Sequence, residues 1–466
     1  MIIALVMLVH ILFANLHFGG AWIAVLTESI FLRTNRTRYK RLARSLTFFN
    51  VILFSTGATF AIAGIVFFVA LYPELTKNLF HIYWWPLLLE ALTFVLEIFF
   101  LYTYWYSWDR IRPFWHQVLG FGYAIDVFIQ VLLINMVASG MMTPGGHEII
   151  WSGSGMLTMD WTEALSWWFN PTIFHLHFHR LAAAISYFGF LLAMMAVFHY
   201  RNRKDPASRR YWDWAAFYGL AWGMLGLILM PILGYLYVMA IRSSQPEAYE
   251  MMMYGPRGWE MLLMVGLLSA LFLTLLVRFI DRKEEFLAEN RNLQRLFQAF
   301  LVVAAMSGLV LVQPSWLGGN VLYDPGAWIN PLGLMEYKYA ALTALVVIGI
   351  ATLIADFTVL RRRLDQALGQ LSRTSQIAAV MVGILGMWIV LVMGDLREAS
   401  RAPWVVFKVI PTPGEGMYHT PISPSSIFVI WTVATIGVLI ILWFAARVTA
   451  QHPESDDLDL QDSSRP

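Results

Sequence analysis

His10 and His17 stand seven residues apart in one apolar run, and Glu90 and Glu97 repeat that spacing in another. Seven residues make two helical turns, so each pair shares a helix face. A third run opens on Phe174-His175-Leu176-His177-Phe178-His179-Arg180, where His175 and His179 share a face and His177 points elsewhere. Asp126, Glu336 and Lys338 sit in further apolar runs. Neutral imidazole ligates haem iron, and paired carboxylates at membrane depth carry protons or ligate a second iron. The competing reading is that His and Glu bridge helices by hydrogen bonds. We read His10 and His179 as haem ligands, and His17, His175 and His177 as bridging groups. The chain has no cysteine, which excludes disulfides, thiolate nucleophiles, Cys-ligated clusters and covalently attached haem. Metal or haem must rest on the 11 His, the 23 Met or carboxylates.

The elements that position these groups are membrane helices. Of 466 residues, 59% are hydrophobic and only 13% charged, about half the charged share of a soluble domain. The apolar residues come in runs long enough to cross a bilayer. This composition excludes a soluble enzyme and a disordered protein, and a net charge of +2 gives no footprint for nucleic acid. The N-terminal run reads as a retained first span, having neither a basic leader nor a small-residue cleavage site. Further segments lie at about 46–72, 81–106, 115–140, 172–199, 212–241, 257–280, 295–313, 332–360, 375–394 and 424–448. The expected fold is therefore all-α, a polytopic bundle of about 11 spans. The alternate loops 33–45, 107–114, 200–211, 278–295 and 361–373 hold 22 Lys and Arg. The opposite loops hold only Lys77, Arg242, Arg257, Arg397, Arg401 and Lys408. By the positive-inside rule the N-terminus is outside and the C-terminus cytoplasmic. Residues 1–450 form one membrane domain, and 451–466 an acidic tail expected to be disordered.

The order of motifs resembles subunit I of cytochrome bd quinol oxidase. His10-Ile-Leu-Phe is followed by Glu28, and Ser55-Thr56-Gly57 comes next. The third span carries LLLEALTFVLEIFF and ends in Trp108-Asp109-Arg110. Met141-Met142-Thr143-Pro144 closes the fourth, and Asn170 precedes His179 by nine residues. Ser400-Arg401-Ala402-Pro403-Trp404 and Lys408-Val409-Ile410-Pro411-Thr412 are similar to the family's GRQPW and EVLPT signatures. The resemblance covers 1–242 and 331–448, with 243–330 as an inserted helical hairpin in place of the family's large polar quinol-binding loop.

The resemblance implies haem b, one or two copies, with haem d also compatible. It places His10 as axial ligand at the oxygen-reducing site and His179 on a low-spin haem. Glu97 and Glu90 serve the first site as ligand and proton path, with Glu90 one residue out of the family's register. Met335 stands nearest the expected second ligand of the low-spin haem, and Lys338 stands for an Arg facing a propionate. Arg401 and Trp404 shape an outer-face quinone or propionate site. The family's carboxylate in the tenth span is read as replaced by Leu391. A second membrane subunit, a quinol donor and the bacterial or archaeal cytoplasmic membrane are implied as well. A haem b electron carrier that reduces no oxygen remains the alternative, because the loop and the Leu391 carboxylate are missing.

Overall fold

The structure is a computed structural model that describes residues 2–145, 150–151, 157–158, 161–254, 257–313, 336–356, 368–411 and 423–450. Met335, the segment around it and the acidic tail lie outside the described residues. Among the described residues, eleven helices are long and apolar enough to span a membrane, as the hydropathy pattern predicts. The first four are α1 (Ile2–Thr34), α2 (Thr37–Leu71), α4 (Trp84–Tyr106) and α5 (Pro113–Met142), with the short α3 (Pro73–Ile82) between α2 and α4. The short α6 (Trp161–Trp168) leads into α7 (Ile173–Asn202), which is followed by α8 (Pro206–Ser244) and the short α9 (Pro246–Tyr254). Then come α10 (Gly258–Arg282), the short α11 (Glu284–Glu289), α12 (Arg291–Val312) and α13 (Glu336–Ala355). The last two are α14 (Arg373–Ala399) and α15 (Pro424–Thr449). Two short antiparallel ladders complete the described structure, β1 (Ile150–Trp151) with β2 (Leu157–Thr158) and β3 (Trp404–Val406) with β4 (Ile410–Pro411).

Helices are the natural choice for these runs because lipid offers no partner for backbone N–H and C=O groups. Their starts are marked in the sequence. Pro206 follows Asp205, whose carboxylate accepts from Ser208 N–H at 2.8 Å. Ser372 and Ser423 cap α14 and α15 in the same way, at 2.9 and 3.2 Å. At 33 residues α1 runs about 50 Å, well beyond the roughly 30 Å hydrocarbon core, so it tilts or projects from it.

The core is layered around α1, α7, α8 and α14. One apolar cluster joins these four to α2 and α15. A second joins α7, α8 and α14 to α10, α12 and α13 through Phe190, Leu227, Phe272, Leu345 and Val382. A third packs α1 and α2 against α4 and α5. The α7–α8 contact is intimate because Gly189 faces Gly219 and Gly223. A Cβ on Gly189 would come within 2.6 Å of the Gly219 carbonyl, so only glycine lets these backbones approach. Helices α10 and α12 pack as a pair, and α10 also buries Leu268, Leu271 and Phe272 in the second core. Helices α10 and α12 of the inserted segment therefore contribute to the bundle interior.

The β3–β4 hairpin is tied to the end of α5 by Phe407 N–H, which donates to Met141 O at 2.9 Å. This brings Trp404 and the residues of the Arg401 signature to the α5 end, beside Met142.

Candidate functional site

His179 lies on α7 and lines a cavity walled by residues of α1, α7, α8, α10 and α14, almost all apolar. Its Nδ1 is buried and has no hydrogen-bond partner. A buried imidazole nitrogen in that state costs about 1–3 kcal/mol unless a ligand takes it. The α8 backbone closes in behind the ring: a Cβ on Gly234 would lie 3.2 Å from His179 Cε1, and Tyr237 stacks on the ring at 6.2 Å.

Cations gather at this cavity. Arg180 and Arg397 both line it, and Arg180 donates to Asn135 Oδ1. Arg401, 3% exposed, pairs with Glu398 and donates to Val405 O at 2.6 Å. Arg397 reaches the same carboxylate at 3.2 Å. The charges of Arg180, Arg397 and Arg401 all act on Tyr237. Nε of Arg397 and of Arg401 are buried without partners. Three guanidiniums thus share one described carboxylate, which leaves an excess of two positive charges and spare donors. An apolar slot with a free imidazole nitrogen, thioethers from Met230, Met264 and Met393, and surplus arginine fits a haem with its two propionates.

His10 does not line this cavity. It sits on α1 against α2, with Nδ1 at 3.1 Å from Gly57 O in the Ser55-Thr56-Gly57 run. An N–H donated to a carbonyl fixes the tautomer and leaves Nε2 with the lone pair, the arrangement common to ligating histidines. Glu97, 1% exposed, contacts His17 Nε2, and Tyr123 Oη lies 3.1 Å from the same nitrogen. Asp126 and Glu90 are near enough to feel the Glu97 charge, and Asp126 Oδ2 has no partner. Glu90 itself is half-buried, two turns before Glu97. Among the described residues no three His, Asp or Glu side chains converge as a metal site.

Several placements differ from the sequence reading. Lys338 does not face the arginine cluster: its Nζ donates to Leu311 O and Gln313 O, at 3.2 and 2.6 Å, and so satisfies carbonyls at the end of α12. Leu391 is fully buried in the apolar core, but the helix has not lost its carboxylate, because Glu398 stands one turn before Arg401. The signal was in the sequence, since residues three apart on a helix meet. A further network was missed. Glu28 accepts from Tyr104 Oη at 2.7 Å and lies 2.5 Å from His116 Nδ1, with all three side chains buried. Just beyond it, Asp109 in the α4–α5 turn bonds Lys40 at 2.5 Å and Arg44 at 3.1 Å. The Lys40 hydrogen bond holds the Asp109 carboxyl below the usual aspartate range.

Comparison with known proteins gives these positions a context. Residues 1–257 match the family described as cytochrome bd terminal oxidase subunit I. The Bacillus subtilis (strain 168) protein named "putative cytochrome bd menaquinol oxidase subunit I" is 25% identical over 240 residues, which are 51% of this chain and 53% of that protein. The match thus spans about half the length of that relative. The structure of bd oxidase from Geobacillus thermodenitrificans superposes with a TM-score of 0.56 at 19% identity, covering 96% of this chain and 95% of that one. At that identity the likeness is one of fold.

Proposed function

The chain belongs to the cytochrome bd terminal oxidase subunit I family, and from that premise we propose that it is the haem-carrying membrane subunit of a bd-type oxidase complex. As a member it is a multi-pass protein of the bacterial cytoplasmic membrane. The observation that carries the proposal is the His179 cavity, with its unpartnered imidazole nitrogen and its excess of buried arginine. Haem, when bound, supplies reversible one-electron chemistry at iron.

The chain's own residues then divide the work. His179 holds one b haem by its ring nitrogen. Arg180, Arg397 and Arg401 neutralise the propionates. Met393 and Met264 line the same cavity and would offer thioethers to that haem. His10 holds a second haem through Nε2, oriented by its bond to Gly57 O. Glu97 is the proton donor for that site. Its carboxylate accepts from the Nε2–H of His17, which sets that tautomer, and the Tyr123 hydroxyl stands 3.1 Å from the same nitrogen. Glu90, in reach of the Glu97 charge, extends the path toward the other end of α4.

The donor is a quinol, as in the name of the Bacillus subtilis relative, and it acts at the outer face near Arg401 and Trp404. The partner is a second membrane subunit. A purified complex tests the proposal: menaquinol should drive oxygen uptake. Haem reduction by quinol without oxygen uptake would instead support the electron-carrier reading.

A further inference from the structure

One face of α1 is used twice. At His17 it meets Glu97 of α4 and Tyr123 of α5. About 16 Å further along α1 the same three residue types meet again, as Glu28 of α1, Tyr104 of α4 and His116 of α5. The rings between the two sites form a chain. Centroids lie 5.6 Å apart from His17 to Tyr123, 6.4 Å from Tyr123 to Tyr104 and 5.9 Å from Tyr104 to Trp108. Trp108 ends the chain, 7% exposed in the turn after α4, next to the surface Asp109 that binds Lys40 and Arg44. Gly120 of α5 makes room for this stacking, since a Cβ there would lie 2.8 Å from Tyr104 Cε2.

We propose that Tyr104 is a redox-active tyrosine, which discharges surplus oxidising equivalents from the oxygen site to a reductant at the Arg-rich face. The proposal rests on the reading of His10 as part of an oxygen-reducing haem site. Packing alone explains a row of rings at helical spacing. What singles out Tyr104 is its hydroxyl. A phenol gives up an electron readily only when its proton leaves at the same moment to a base within hydrogen-bond reach. Tyr104 Oη has that base, because it donates to Glu28 Oε2 at 2.7 Å while His116 Nδ1 occupies Oε1. Tyr123 lacks one. Its hydroxyl stands 3.1 Å from a His17 nitrogen whose hydrogen already points to Glu97, and among the described residues no carboxylate accepts from it. The hole therefore passes Tyr123 and rests on Tyr104. In each passage Tyr104 gives one electron to the oxygen site and one proton to Glu28 Oε2, leaving a neutral phenoxyl radical beside a protonated carboxyl. A one-electron reductant of the thiol or ascorbate class returns the electron through Trp108, and Glu28 returns the proton. Two passages, with two protons taken up at the oxygen site, turn one hydrogen peroxide into two waters; those protons are the ones the reductant loses on oxidation.

The test uses the purified haem-loaded complex, oxidised, mixed with hydrogen peroxide and frozen at once for electron paramagnetic resonance. The wild type should show a radical whose spectrum narrows when the cells are grown on ring-deuterated tyrosine. Tyr104→Phe keeps the ring and should lose that signal, whereas Tyr102→Phe, two residues away on another face of α4, should keep it. Melting temperatures matching wild type show that the variants are folded. Trp108→Phe should keep the radical but slow its decay on adding ascorbate. Haem bands that shift with peroxide while no tyrosyl radical forms, or while the same radical persists in Tyr104→Phe, would overturn the proposal and leave the haem reading standing. Haem bands unmoved by peroxide would overturn the oxygen-site reading itself, and the proposal with it.

Discussion

At the scale of single residues, the account turns on polar groups that the bundle buries without full satisfaction. Glu97→Gln keeps the shape and a hydrogen bond to His17 but cannot give up a proton. Oxygen uptake should fall about a hundredfold or more while haem content stays at the wild-type level. Haem lost in proportion to activity would make Glu97 a ligand or a packing residue. His116→Ala should act on stability alone: it leaves Glu28 buried beside Tyr104 without its imidazole, and breaking such a pair costs about 3–5 kcal/mol. A thermal melt unchanged within about a degree would contradict this. His10, His179 and Glu97 were legible in the sequence because an ionisable group in an apolar run stands out. The pairings of His17 with Glu97 and of His116 with Glu28 were not, because their partners lie 80 and 88 residues away on another helix. Only packing shows which faces meet.

At the scale of elements, helix ends carry the tests. Asp205 caps α8, and its bonds to Ser208 hold its carboxyl below the usual aspartate value of 3.8. A carboxyl lowered by folding adds stability above its unfolded pKa and loses it as pH falls through the folded value. Asp205→Ala should therefore cost about 1 kcal/mol at neutral pH. The variant and wild type should converge as pH drops below the aspartate range. A pH-independent gap between the two melting curves would show that the carboxylate charge plays no part. The spanning helices were readable because lipid requires long unbroken apolar runs. The short helices α3, α6 and α9 and the β3–β4 hairpin were not, because pieces of that length follow the turns around them. The hairpin matters to the site, since it holds Arg401 through Val405 O.

At the scale of the whole molecule, an odd number of spans and the charge asymmetry of the loops predict termini on opposite sides of the membrane with the C-terminus inside. The lack of native cysteine makes this directly testable. In intact cells an impermeant thiol reagent should label Ser243→Cys and spare Asn202→Cys, and the reverse pattern would invert the orientation. The span count was legible from hydropathy, whereas the way α10 enters the core was not, because several neighbours can satisfy one apolar face. The central claim remains that this bundle carries haem on His179 and an open haem site near His10. Its most direct test is the reduced-minus-oxidised spectrum of the purified chain, with and without carbon monoxide, beside that of His179→Ala. The account predicts b-type bands in the wild type, a carbon monoxide shift in part of them, and loss of the low-spin component in the variant with the shift retained. A wild-type spectrum without haem bands in folded protein, or a variant spectrum identical to it, would contradict the account.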